Sequence, residues 1–231
     1  MRSAKQFFLD ERPQRGFTID AFKQRWHERL NQPMKGLDKE TRRFLYYSRY
    51  NWDRMKRVEL AYAPSDAFKN AVSSVKKEQL WMLLSEDWCV DSAYALPILD
   101  TADKLNVHIC VRILERDANL DIMDQYLTNG GRAIPKLVVF DHDGKELFTW
   151  GAKPAALVTF RDKMKSDGAE GSEITQATLD WYEGGGLQEI EKEIGAHLLC
   201  LQDEKILLKL KGTARGVEDD QLHCLSSPVP S

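Results

Sequence analysis

A chain of 231 residues with 42% hydrophobic and 30% charged side chains can bury the core of one moderate domain with extensions, or of two small ones, and excludes global disorder. The formal net charge of −3 hides an asymmetry: residues 1–60 carry 15 Lys and Arg against 8 Asp and Glu, whereas the remaining 171 carry 18 against 28. No apolar stretch approaches the ~18 residues of a membrane span, the start has no signal-peptide apolar region, and no Lys/Arg block is dense enough to read as a nucleic-acid surface. A cytoplasmic protein is therefore expected, with neither membrane nor nucleic acid as partner.

Thr18 can cap a helix to Leu30, in which Ile19, Phe22, Trp26 and Leu30 recur at helical spacing. A second helix runs from Asp38 to Leu60, and its aromatic residues among arginines read as a packing face before they read as a base-stacking surface. Ser65 caps a third, through Val75. The apolar run Gln79–Ser85 predicts a buried strand, Glu86–Cys89 the turn after it, and Cys89–Leu105 a helix. Val107–Leu114 is β-rich and predicts a second, central strand. A short helix, Leu120–Leu127, ends at Asn129-Gly130-Gly131. Lys136–Phe140 and Glu146–Trp150 are strands, and Asp143-Gly144 between them signals a hairpin. Ala155–Lys165 is helical, and Ile174–Tyr182 and Leu187–Leu201 are helices around a break at Gly184-Gly185-Gly186. From Lys211 the chain is polar and aperiodic, which predicts a flexible tail. The order β-α-β-α-β-β-α gives an α/β fold, with the first two strands parallel and the last two an antiparallel hairpin.

The cysteines, Cys89, Cys110, Cys200 and Cys224, are far apart and form neither a CxxC pair nor zinc-finger spacing, so no disulfide framework and no metal is expected. Cys110 and Cys200 lie in apolar runs and read as inert core thiols, and Cys224 lies in the tail. Asp141-His142-Asp143-Gly144 lacks the spacing of a calcium loop and reads as a solvated turn.

A cysteine at a strand-to-helix turn, Pro97 eight residues later and Ile134-Pro135 before the hairpin together resemble the thioredoxin fold. The motif Trp88-Cys89-Val90-Asp91-Ser92 is similar to that of bacterial thioredoxin-family proteins with a Trp-Cys-Gly-Asp motif. Their other features match Tyr47-Ser48, Asp53 to Arg57, Met123 to Gly130, Arg132 to Lys136, Trp150-Gly151 and Asp180-Trp181-Tyr182. Val90 departs from that group's Gly and stiffens the turn. The resemblance implies a cis bond at Pro135 facing Cys89. It divides the chain into a helical N-terminal extension (1–63), a thioredoxin-like domain (64–168), a C-terminal helical extension (169–210) and the tail (211–231).

At a helix N-terminus a thiolate is stabilised, so Cys89 is expected to be a nucleophile with a lowered pKa. Asp91 opposes that by its charge but favours the helix start. Thioredoxins resolve a mixed disulfide with a second cysteine where this chain has Ser92, and they carry a buried acid in the preceding strand, which is wholly apolar here. Cys89 is thus expected to act as a monothiol, with Ser92 donating a hydrogen bond to the sulfur. Trp88 offers an apolar contact, and the Ile134 backbone beside Pro135 can pair with an extended polypeptide. The expected function is a monothiol thiol–disulfide oxidoreductase acting on protein or low-molecular-weight thiols and disulfides, without a cofactor. The alternative is a redox-inactive thioredoxin-fold binding module. A glutaredoxin-like iron–sulfur carrier is disfavoured, because its Cys-Gly-Phe-Ser motif is absent.

Overall fold

The structure, a computed structural model, describes residues 4–213, with side chains through Gln202. Its helices in chain order are α1 (Gln6–Leu9), α2 (Ile19–Leu30), α3 (Lys39–Ala61), α4 (Asp66–Ser73), α5 (Val90–Leu105), α6 (Leu120–Met123), α7 (Ala155–Ser166), α8 (Gly171–Trp181) and α9 (Leu187–Thr213). The strands are β1 (Gln79–Ser85), β2 (Ile109–Glu115), β3 (Lys136–Asp141) and β4 (Glu146–Trp150).

The strands form one mixed sheet in the order β2-β1-β3-β4. β1 and β2 are parallel, as the crossover through α5 requires, and β3 runs antiparallel to both β1 and β4. Side chains alternate along β1, so Trp81 and Leu83 enter one core while Met82 and Leu84 enter another on the opposite face. The first core is large and takes in α2, α3, α4, α5, α7 and α9. The second is small and is closed by α1, α6 and the segments around Cys89 and Ile134. β2 lies at a sheet edge rather than in the centre, and Cys110 on it is half-buried. The edge is partly covered by Phe17, whose N–H and C=O pair with Ile113 at 2.9 and 2.8 Å.

The helix starts follow local chemistry. Thr18, Asp38 and Ser65 side chains accept from the backbone N–H groups of Ala21, Thr41 and Phe68 at 3.1, 2.9 and 3.1 Å. Of the N-terminal helices, α2 and α3 belong to the large core: Ile19, Phe22, Trp26, Met55 and Val58 are all buried there. On α3 the packed ridge is Ser48, Asn51, Met55 and Val58, while Tyr46, Tyr47 and Tyr50 are exposed, so the expected aromatic packing face is only partly realised. α1 has no counterpart in the sequence reading, yet Phe7 and Phe8 seal the small core against Phe140.

At the C-terminal side, the expected break at the glycines is a kink, Tyr182–Gly186, that joins α8 to α9. Gly185 has φ 111°, and a Cβ on Gly186 would sit 2.2 Å from the Trp181 ring, so both positions require glycine. Ile190, Ile194 and Leu198 of α9 then complete the large core. No helix among the described residues is long and apolar enough to cross a membrane.

Candidate functional site

β1 ends where its polar continuation, Glu86-Asp87-Trp88, turns the chain, and Cys89 is the N-cap of α5 with an extended backbone (φ −86°, ψ 120°). That conformation points its side chain back over the small core, where Cys89 is 8% exposed. The thiol donates a hydrogen bond to the Ile134 carbonyl at 3.3 Å, and Ile134–Pro135 is cis. Behind Pro135 runs Gly151, at φ 108°. A Cβ there would lie 2.1 Å from the Pro135 carbonyl oxygen, so only glycine permits the approach. Lys136 fastens this corner, its Nζ donating to Thr128 Oγ1 at 2.8 Å and to the Gly151 carbonyl at 2.9 Å.

The electrostatics of the sulfur reverse the sequence expectation. Cys89 is pushed up to about 11, first by burial and then by the charge of Asp91; Ser92 and Lys153 act in the opposite direction but do not prevail. The geometry agrees with burial as the leading cause. The thiol hydrogen lies on a carbonyl, and a thiolate in the same place would face the negative end of that C=O dipole. Ser92 Oγ is buried beside the sulfur, and its hydrogen bonding favours the thiolate without outweighing burial. Asp91 is buried and held from two directions, by the Tyr182 hydroxyl at 2.8 Å and Lys153 Nζ at 2.7 Å. Trp88 is half-buried between Phe44, stacked at 4.6 Å and 19°, and the Arg116 guanidinium, 4.7 Å from its ring centroid.

The structure therefore brings together Trp88, Cys89, Asp91, Ser92, Ile134 and Pro135, and it adds residues that sequence reasoning missed. Glu86 and Asp87, read as part of the turn after the strand, are both buried. Burial pushes Glu86 up to about 7, although its Oε1 accepts from the Asp117 N–H at 2.9 Å. Burial also holds Asp87 above the usual carboxylate range, against the pull of Arg29 at 3.1 Å. β1 itself is apolar apart from Gln79 and Ser85, but two buried acids follow it directly. Phe44, Arg116 and Lys153 gave no local signal. Tyr182 did, because Asp180-Trp181-Tyr182 belonged to the resemblance. Of the other cysteines, Cys110 has its thiol pushed up by burial, Cys200 is half-buried and not a free thiol, and Cys224 lies outside the described residues. The Asp141–Gly144 segment is a hairpin turn in which Asp141 Oδ1 accepts from the Asp143 and Lys145 N–H groups at 3.1 and 2.9 Å.

A family model described as Thioredoxin matches residues 39–165. Among solved structures, the chain is similar to a protein of unknown function from Pseudomonas aeruginosa, at 20% identity and a TM-score of 0.53, over 93% of this chain and 100% of that one. It is also similar to an HIV epitope-scaffold, at 20% identity and a TM-score of 0.53, over 82% of this chain and 96% of that one. At such identity the likeness concerns the fold alone. No curated protein matches the chain.

Proposed function

The chain belongs to the thioredoxin family, and from that membership we propose that it exchanges thiols and disulfides through Cys89 alone. The observation that carries this reading is a free cysteine capping α5, 3.3 Å from the carbonyl beside a cis-proline, with a serine three residues on. In the exchange, Cys89 loses its proton to solvent and the thiolate attacks one sulfur of a partner disulfide. A new S–S bond forms, the old one breaks, and the departing thiolate takes up a proton. Ser92 cannot attack the resulting mixed disulfide, so an external low-molecular-weight thiol completes the cycle. The groove between Trp88 and Ile134 holds the partner.

Burial of the thiol and its raised pKa support a second reading, a binding module that is redox-inactive at neutral pH. Oxidised glutathione separates the two. Incubated with the full chain at mildly alkaline pH, it should leave a long-lived adduct on Cys89 by peptide mass spectrometry, and Ser92→Cys should shorten the adduct's lifetime by supplying an intramolecular attacker. Absence of any adduct on Cys89 while Cys110 is modified would favour the binding module.

A further inference from the structure

One ridge of α3 is left over once the core and the site are accounted for. Ser48, Asn51, Met55 and Val58 form the helix's packed side; one residue earlier in each case, about 100° round the helix, lie Tyr47, Tyr50, Arg54 and Arg57. Arg43 extends this row one turn further back. Tyr47 and Tyr50 are 47% and 49% exposed, and Tyr46, 49% exposed, leans on Tyr50 with ring centroids 4.7 Å apart. Among the described residues Arg54 has no carboxylate partner; it donates to Asn51 Oδ1 at 3.1 Å and lies 5.9 Å from the Tyr50 ring centroid. Arg57 reaches Glu183 at 3.2 Å, but both are exposed and such pairs contribute little.

The row has a definite start and end. At one end Phe44, next to Arg43, stacks on Trp88 of the cysteine motif. At the other, Arg54 and Arg57 line a cleft of about 360 Å³ with Tyr94 and Tyr182, and Tyr182 is the residue that holds Asp91. The helix carries seven Lys and Arg against three Asp and Glu, in a chain whose net charge is −3. Tyrosine and arginine are also the residues most enriched at protein-binding hot spots.

We propose that this ridge docks an acidic, extended segment of a protein partner and leads that partner's disulfide to Cys89. The inference rests on the thiol-exchange reading above. From Arg43 to Arg57 the ridge is about 21 Å long at 1.5 Å per residue, which matches about six residues of extended chain at 3.3 Å each. The cleft receives a side chain at the far end. Two features favour a polypeptide over a nucleic acid: the tyrosine rings pack on one another instead of standing apart for bases, and a nucleic acid brings no disulfide to the cysteine motif, whose Trp88 the row reaches through Phe44.

The test uses the full chain and two synthetic peptides of equal length. One is rich in Glu and the other has Gln in its place, and each carries one cysteine blocked as a 2-thiopyridyl disulfide. The acidic peptide should release thiopyridone about tenfold faster at low ionic strength, and the advantage should collapse in high salt. Arg54→Glu with Arg57→Glu should abolish the advantage. Tyr47→Ser with Tyr50→Ser, two exposed positions, should reduce it and covers the case in which the charge reversal fails to fold. Fluorescence anisotropy with the same peptides, Cys replaced by Ser, reads docking without chemistry. Acidic-peptide binding with no thiopyridone release from either peptide would uphold the docking surface and overturn thiol exchange. Equal release rates with no acidic-peptide binding would overturn the docking surface and leave thiol exchange standing. Tighter binding of a single-stranded oligonucleotide of equal charge would overturn the polypeptide assignment.

Discussion

On one face of the sheet, Trp81, Leu83, Val111 and Val139 share an apolar core with residues of six helices. On the other, Met82, Leu84, Val138 and Phe140 meet only the four-residue helices α1 and α6 and the loops that carry Cys89 and Ile134. The thick face removes far more apolar surface from water and supplies most of the stabilisation. The thin face, made of short elements, is where an extended backbone can place the Cys89 sulfur beside Ile134 without long helices in the way. Most of the apolar burial and the Cys89–Ile134 contact thus lie on opposite faces of the sheet. The difference between the faces can be broken or sharpened by substitution.

The largest effect is expected on the thick face. Trp26 is buried between α2 and α3 and its Nε1–H donates to the Ser48 carbonyl at 3.1 Å. Trp26→Ala should cost about 3–5 kcal/mol in urea unfolding, while the alkylation rate of Cys89 in the still-folded protein stays near that of wild type. A large change in that rate would mean the two faces are coupled.

A smaller effect, with a defined sign, belongs to the thin face. Burial raises Glu86 from 4.5 to about 7, so the folded protein retains a proton that the unfolded chain has released. Its contribution to stability is complete below the unfolded value and is lost as pH rises through about 7. Glu86→Gln should flatten this slope and stabilise the protein at pH 8 by about 1–3 kcal/mol. Urea midpoints at pH 5 and pH 8 check it; a variant less stable than wild type at pH 8 would show that the Glu86 charge is needed.

The smallest is at the ion pair beside the thiol. Lys153 lies 2.7 Å from Asp91 and draws the Cys89 pKa downward. Lys153→Met removes that pull and leaves the Asp91 charge unopposed, so alkylation of Cys89 at pH 9 should slow by roughly threefold to tenfold. An unchanged rate would mean that Asp91 and Lys153 serve the fold alone.

The thick face was legible in the sequence because it is periodic. Ile19, Phe22 and Trp26 recur at helical spacing, Trp81 and Leu83 stand in a continuous apolar strand, and Thr18, Asp38 and Ser65 mark the helix starts. The thin face was legible only in its motif residues. Phe7 and Phe8 sit in a segment interrupted by Asp10, Glu11 and Arg12, with no period to announce that they are buried. Glu86 and Asp87 read as a turn from their local sequence; Arg29 of α2, 58 residues away, meets Asp87, and the Asp117 N–H, 31 residues away, meets Glu86. The state of the thiol was misread for a related reason. A helix N-terminus is a local feature, whereas the burial that raises the thiol comes from segments distant in sequence, among them Ile134, 45 positions away.

The masked thiol is the centre of the account, and the pH dependence of Cys89 alkylation tests it directly. Iodoacetamide is added to the native full chain between pH 7 and pH 10, and Cys89 and Cys110 are followed separately by peptide mass spectrometry. A thiol pushed up to about 11 has a thiolate fraction that climbs about tenfold per pH unit throughout this range. The Cys89 rate should therefore be slow at pH 7 and still rising at pH 10, with no plateau. A plateau at or below pH 8, with fast labelling at neutral pH, would show a thiolate stabilised by the helix N-terminus and would contradict the arrangement described for Cys89 and Ile134.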